Sequence, residues 1–187
     1  IDNILRITAD CPFIDHKIVD LIIHNFFTKK VDYCSNILPP TFADGMDVEA
    51  FTFKALKKTY HSAKSFIDRE HVTPYMKRNK IFKKFNILSK NNNSKIRLTV
   101  DEPIDLDVLR SIYVKLQKKY DFSYESILSL YKINKSIFSK NINIKRNEGF
   151  LMNEGQKFWI RAKKVIPGGT MLFSKNPDLF LPSSWPA

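Results

Sequence analysis

Glycine is scarce in this chain, five residues in 187, and neither G-x-x-x-x-G-K-[ST] nor G-x-G-x-x-G occurs, so no glycine-rich phosphate loop can be read from it. Cysteine is scarcer still. Cys11 and Cys34 are too few for a disulfide framework and lie in no Cys-x-x-Cys or Cys/His zinc pattern, which points to two reduced, partly buried thiols. No apolar run approaches the roughly 18 to 20 residues that a membrane-spanning helix needs, and no basic stretch followed by an apolar one opens the chain; a cytoplasmic location without membrane association is expected. No Ser/His/Asp or Cys/His arrangement has a convincing context, and His16, His24 and His61 show no ligand spacing. No residue is therefore named as a catalytic nucleophile or base.

What is present is a globular composition, 43% apolar, with a formal net charge of +12. The charge is unevenly placed: residues 1–75 carry 9 Lys and Arg against 10 Asp and Glu, and residues 76–187 carry 22 against 9. Residues 76–97 hold 8 basic residues and no acidic one, a pattern that admits a basic nucleic-acid-binding module. Their aromatics, Phe82 and Phe85, are explained by packing as readily as by base stacking, so nucleic acid is not the favoured partner. The chain opens on Ile1 and ends Trp185-Pro186-Ala187, which suggests a piece of a longer reading frame.

Residues 4–8 read as a buried strand leading to Asp10, after which Asp15 can cap a helix with apolar positions Ile18, Val19, Ile22, Ile23 and Phe26. Residues 31–36 read as a second strand. Residues 47–51 alternate polar and apolar, predicting a half-buried strand with Asp47 and Glu49 on its exposed side. A helix is expected over residues 52–64, and Asp68-Arg69-Glu70-His71 opens a further segment. Residues 85–88 and 96–100 read as strands, and Pro103 fits the first turn of a helix capped by Asp101 or Glu102. Beyond residue 118 come a short helix at 124–131, a Lys- and Asn-rich connector and a helix at 157–165. The alternation of strands and helices predicts an α/β fold on a parallel or mixed sheet.

Asp10 and Asp101 each stand where an apolar run stops and a proline follows two residues later. Ligands of open α/β sheets gather at the carboxyl ends of strands, and Mg²⁺ needs only one or two protein carboxylates beside a nucleotide phosphate, so this pair is the candidate metal site. A turn at Asp10 and a helix cap at Asp101 are the simpler alternatives. Asp44, Asp47 and Glu49 could bind sugar hydroxyls, help position a metal, or form a solvated turn. Arg69 or His71 could receive an anionic sugar, or Arg69-Glu70-His71 could be a salt-bridge cluster at a helix start.

Four segments in order carry a family resemblance: Arg6-Ile7-Thr8-Ala9-Asp10-Cys11-Pro12-Phe13-Ile14-Asp15, Asp44-Gly45-Met46-Asp47-Val48-Glu49, Arg69-Glu70-His71-Val72-Thr73-Pro74-Tyr75, and Leu98-Thr99-Val100-Asp101-Glu102-Pro103-Ile104-Asp105-Leu106. Together they resemble the cytidylyltransferases grouped with spore coat polysaccharide biosynthesis protein F. The resemblance covers residues 1–118. It implies an α/β/α sandwich of the nucleotide-diphospho-sugar transferase type, here partial, without its N-terminal strand and phosphate loop, and with a mostly helical C-terminal extension. By the same resemblance Asp10 and Asp101 take the metal positions for Mg²⁺, while Asp47, Glu49, Arg69, Glu70 and His71 line the sugar side. CTP and a sugar or sugar acid are the implied substrates, and a homodimer stays open.

The tail, through Arg161-Ala162-Lys163-Lys164-Val165-Ile166-Pro167-Gly168-Gly169 and Ser184-Trp185-Pro186-Ala187, resembles the opening of class III aminotransferases of the glutamate-1-semialdehyde aminomutase kind. That implies a fusion: a nucleotidyltransferase domain at 1–118, a linker at 119–150, and at 151–187 the start of an aminotransferase whose pyridoxal phosphate and lysine belong to a downstream domain. A noncatalytic scaffold is the remaining alternative.

Overall fold

The structure, a computed structural model, describes residues 1–144, 146, 162, 165 and 166, apart from the side chains of Phe66 and Glu70. A four-stranded mixed sheet runs in the order β1-β3-β2-β4, with β1 at Asn3–Arg6, β2 at Tyr33–Ser35, β3 at Glu49–Thr52 and β4 at Lys84–Asn86. The third strand is antiparallel to both neighbours, Leu5 and Cys34 each opposing Ala50, and β4 lies parallel to β2. Helices α1 (His16–Lys29), α2 (Phe53–Ser62), α3 (Phe66–Glu70), α4 (Pro74–Arg78), α5 (Pro103–Leu116), α6 (Tyr124–Ile133) and α7 (Lys135–Phe138), with 3₁₀ turns at Gln117–Lys119 and Ser139–Asn141, complete the described elements.

The expected α/β/α layering follows from strand alternation. Cys34 and Ala50 face a large core with Ile18, Ile22 and Phe26 of α1 and Val108, Leu109 and Ile112 of α5. Tyr33 and Phe51 face the other way, into a smaller core with Ala55, Met76 and Phe82. Helix starts are set by side-chain caps: Asp15 accepts from the Lys17 amide at 2.7 Å, and Thr52 accepts from the Ala55 amide at 3.0 Å. Asp15 also takes the Tyr124 amide at 2.6 Å, tying α6 to α1.

Several expectations change. Residues 4–8 do not form a buried strand: β1 pairs with β3 alone, and Leu5 and Ile7 are 39% and 40% exposed. Residues 96–100 form no strand, because their hydrogen bonds go to loops. The Asp44 amide donates to Ile96 O, the Leu98 amide to Asp44 O, and the Val100 amide to Asp10 O at 2.9 Å. The 68–71 stretch closes α3 instead of opening a helix, with Ser65 as its cap.

Residues 119–146, expected to begin a connector, contribute Tyr124, Ile127, Leu130, Ile137 and Phe138 to the large core, and the compact unit runs from Ile1 to Arg146. The helix expected at 157–165 and the aminotransferase-like tail lie outside the described residues apart from three positions. No helix among the described residues is long and apolar enough to cross a membrane.

Candidate functional site

Asp10 and Asp101 come from segments that meet. Past the end of β1 the chain turns, and Asp10 O accepts both the Val100 amide at 2.9 Å and the Thr99 hydroxyl at 3.3 Å, which sets Asp101 one residue from that contact. Asp101 is not at the end of a strand. It precedes Glu102, the N-cap of α5, and its side chain remains 50% exposed. The Asp10 carboxylate accepts from the Cys11 thiol at 3.4 Å. Burial, with Asp10 and Asp47 adding and a hydrogen bond to Thr8 opposing, pushes that thiol up to about 12, so it stays protonated as a donor.

Next to Asp101 stands a residue that the motifs did not single out. Arg97 is 6% exposed and ringed by acids: its Nε and Nη2 donate to the two oxygens of Asp105 at 2.9 Å each, Nη2 also donates to Asp101 at 2.7 Å, and Nη1 reaches Asp44 at 3.2 Å. Burial alone would raise the Asp105 carboxyl. Arg97, Asn141 and the amides of Glu102 and Asp101 outweigh it and hold the group at about 2. Asp44 is instead pushed up to about 6, chiefly by burial, with Arg146 and Arg97 opposing. Arg146 bridges Asp44, at 3.4 Å, and Asp47, whose own carboxyl is raised mainly by burial.

Gly45 makes the Asp44 turn feasible. It adopts φ +96°, and a Cβ there would lie 2.6 Å from the Leu98 backbone.

Across Asp10, Asp44, Asp47, Asp101 and Asp105, carboxylates outnumber the guanidinium groups of Arg97 and Arg146 five to two. The described residues contain no group of three or more His, Cys, Asp or Glu placed to cage a metal ion. Two carboxylates from adjoining loops are nonetheless the donor set Mg²⁺ accepts when phosphate oxygens and water complete its shell, so the residues fit that ion.

The expected sugar side divides. Glu49 is not exposed on β3 but 1% accessible, because its face of the sheet is covered by α2 and α4. It accepts from Arg6 at 2.6 Å, Thr73 at 2.9 Å, Lys77 at 2.8 Å and the Tyr33 hydroxyl. Burial would raise Glu49, and Lys77, Tyr33 and Arg6 together overcome it and hold the carboxyl below its usual range. Asp47 joins the acid cluster instead, half-buried under Arg146. Arg69 is exposed, donates to Ala63 O at 3.3 Å and lies 5.9 Å from the Tyr60 ring; neither partner belongs to the cluster. His71 is half-buried and caps α3, and the Glu70 side chain lies outside the described residues.

Within the basic run 76–97, Lys77 pairs with Glu49, Arg78 with Asp68, Lys83 and Lys84 donate to backbone carbonyls, and Arg97 is buried among acids. Lys80, Lys83, Lys90 and Lys95 remain exposed.

Comparison with known proteins bears on family and fold. A family model described as cytidylyltransferase matches residues 1–146. An uncharacterized protein of Methanocaldococcus jannaschii is 34% identical over 148 residues, 76% of this chain and 57% of that protein. Spore coat polysaccharide biosynthesis protein SpsF of Bacillus subtilis is 25% identical over 134 residues, 70% of this chain and 55% of the relative. The chain thus spans little more than half the length of these curated relatives. A solved cytidylyltransferase from Leptospira borgpetersenii superposes with a TM-score of 0.71 at 36% identity, covering 78% of this chain and 62% of that one. The chain belongs to the cytidylyltransferase family.

Proposed function

We propose that this site, in the whole protein, transfers a cytidylyl group from CTP to a sugar or sugar acid and releases pyrophosphate. Surface polysaccharide synthesis is the process we infer, consistent with the name of the Bacillus subtilis relative. The observation that supports the reading is the hydrogen bond from the Val100 amide to Asp10 O, which joins the two chain segments that carry Asp10 and Asp101.

Asp10 and Asp101 would hold Mg²⁺ between protein and triphosphate. The bound ion would offset phosphate charge, orient the α-phosphate for in-line attack and stabilise the departing pyrophosphate. Asp47, held by Arg146, would meet the acceptor sugar, with Arg69, Glu70 and His71 as further members of the sugar side. Glu49 would act indirectly, through the Lys77 ammonium and Arg6 guanidinium that it fixes. The Cys11 thiol, kept protonated, would donate to Asp10 without acting as a nucleophile.

Pyrophosphate release by the full-length protein, supplied with CTP and a panel of sugars and sugar acids, tests this. Asp10→Ala and Asp101→Ala should each lower the rate on the order of 100- to 1,000-fold. Unchanged rates in both variants would remove the mechanism. For residues 151–187 the proposal is a fused aminotransferase, supported by the motifs of the tail. Full-length protein that purifies without pyridoxal phosphate and fails to bind it when supplied would refute that part.

A further inference from the structure

We propose that Arg97 is the positioning residue of the metal site, holding the Asp101 carboxylate so that one of its oxygens stays available beside Asp10. The inference rests on the cation reading of Asp10 and Asp101 given above.

An aspartate that is 50% exposed would ordinarily exchange among rotamers. Asp101 is tethered by Arg97 Nη2 at 2.7 Å, and among the described residues only its Oδ2 accepts a hydrogen bond. The tether is itself immobile. Arg97 is clamped through two nitrogens to Asp105, which is fully buried and is fixed in turn by the Asp101 and Glu102 amides at 3.2 and 3.0 Å and by Asn141 at 2.8 Å. Asp44 engages the remaining arm of the guanidinium. Because neither Arg97 nor Asp105 can follow a moving partner, Asp101 must conform to them, and Oδ1 is left for a ligand. Carboxylates that bind metal are commonly oriented by such outer hydrogen bonds, whose loss typically weakens the metal by 10- to 100-fold. Lysine cannot substitute here: a single ammonium lacks the planar fork that reaches Asp44, Asp101 and Asp105 together.

The test is Mn²⁺ affinity of the full chain, read by water-proton relaxation, with the melting temperature measured alongside. Arg97→Lys should retain the fold and bind Mn²⁺ about tenfold more weakly. Binding within twofold of the parent would overturn the proposal if Asp101→Asn weakens Mn²⁺. If Asp101→Asn binds as the parent does, the cation reading fails, and this inference with it. Should Arg97→Lys not fold, carboxyl ¹³C relaxation in the unaltered protein decides. Asp101 as rigid as Asp105 supports the proposal, and Asp101 as mobile as the exposed Asp20 overturns it.

Discussion

Among the described residues, two buried ionic centres are electrostatic inverses. One surrounds the Arg97 guanidinium with Asp44, Asp101 and Asp105; the other surrounds the Glu49 carboxylate with Arg6, Tyr33, Thr73 and Lys77. Both answer the same requirement, that a charge removed from water be matched by hydrogen-bonded partners. Their rims differ. The first leaves a half-exposed carboxylate at Asp101 beside Asp10, whereas the second leaves partly exposed Lys77 and Arg6. Burial thus supports stability in both, while only the first presents a half-exposed carboxylate at the place proposed above for a cation.

The sharpest way to break this comparison is to empty the first centre. Arg97→Met takes the guanidinium from buried Asp105 and Asp44 and should cost about 3–5 kcal/mol in urea unfolding; a cost below 1 kcal/mol would show the ring of carboxylates to be energetically idle, on the order expected of a surface change. Glu49→Gln keeps shape and removes charge from the second centre. It should lose about 1.5–3 kcal/mol with Mn²⁺ affinity unchanged, and a parallel loss of Mn²⁺ would join what the comparison separates. Gly45→Ala, forced into φ +96° against the Leu98 backbone, should cost on the order of 1–3 kcal/mol of thermal stability.

Stability against pH sharpens the contrast further. The Asp44 carboxyl rises on folding from 3.8 to about 6, so its contribution is complete below 3.8 and is lost as the pH climbs through 6. Asp105, lowered to about 2, works in the opposite sense, stabilising above 3.8 and losing its effect as the pH falls through 2. Between pH 4 and 6 the parent should therefore show a decline from Asp44 that Asp44→Asn lacks, measured by urea midpoints at constant ionic strength. The smallest effect belongs to Arg69→Ala. Its exposed side chain touches neither centre, and stability should stay within about 0.5 kcal/mol of the parent.

Helices α1, α2 and α5 were legible from local spacing: Asp15 caps a helix that buries Ile18, Ile22 and Phe26, the helix expected over 52–64 runs from Phe53 to Ser62, and Pro103 opens α5. Strand environment was less legible. The alternation at 47–51 places Glu49 opposite Val48 and Ala50 but cannot say that α2 and α4 cover that face. The run at 96–100 has strand composition, yet its partners are the Asp44 and Asp10 loops, which are distant in sequence. The sequence pattern places Asp10 and Asp101 at strand ends, which fails for Asp101; its segment reaches Asp10 through a loop, by the Val100 amide.

Arg97 was missed although a signal existed: an arginine inside the apolar run Ile96 to Val100, with Asp101 and Asp105 four and eight positions on, requires acidic company if the run is buried. Lys77 had no such mark. It sits in a lysine-rich stretch, and its partner Glu49 lies beyond α2 and α3.

The most direct measurement is Mn²⁺-induced broadening of the Asp10 and Asp101 carboxyl ¹³C signals in the full chain. A shared ion requires both to broaden at the same Mn²⁺ concentration and both to sharpen again with excess Mg²⁺. Broadening of one without the other, or of neither at millimolar Mn²⁺, would contradict the account.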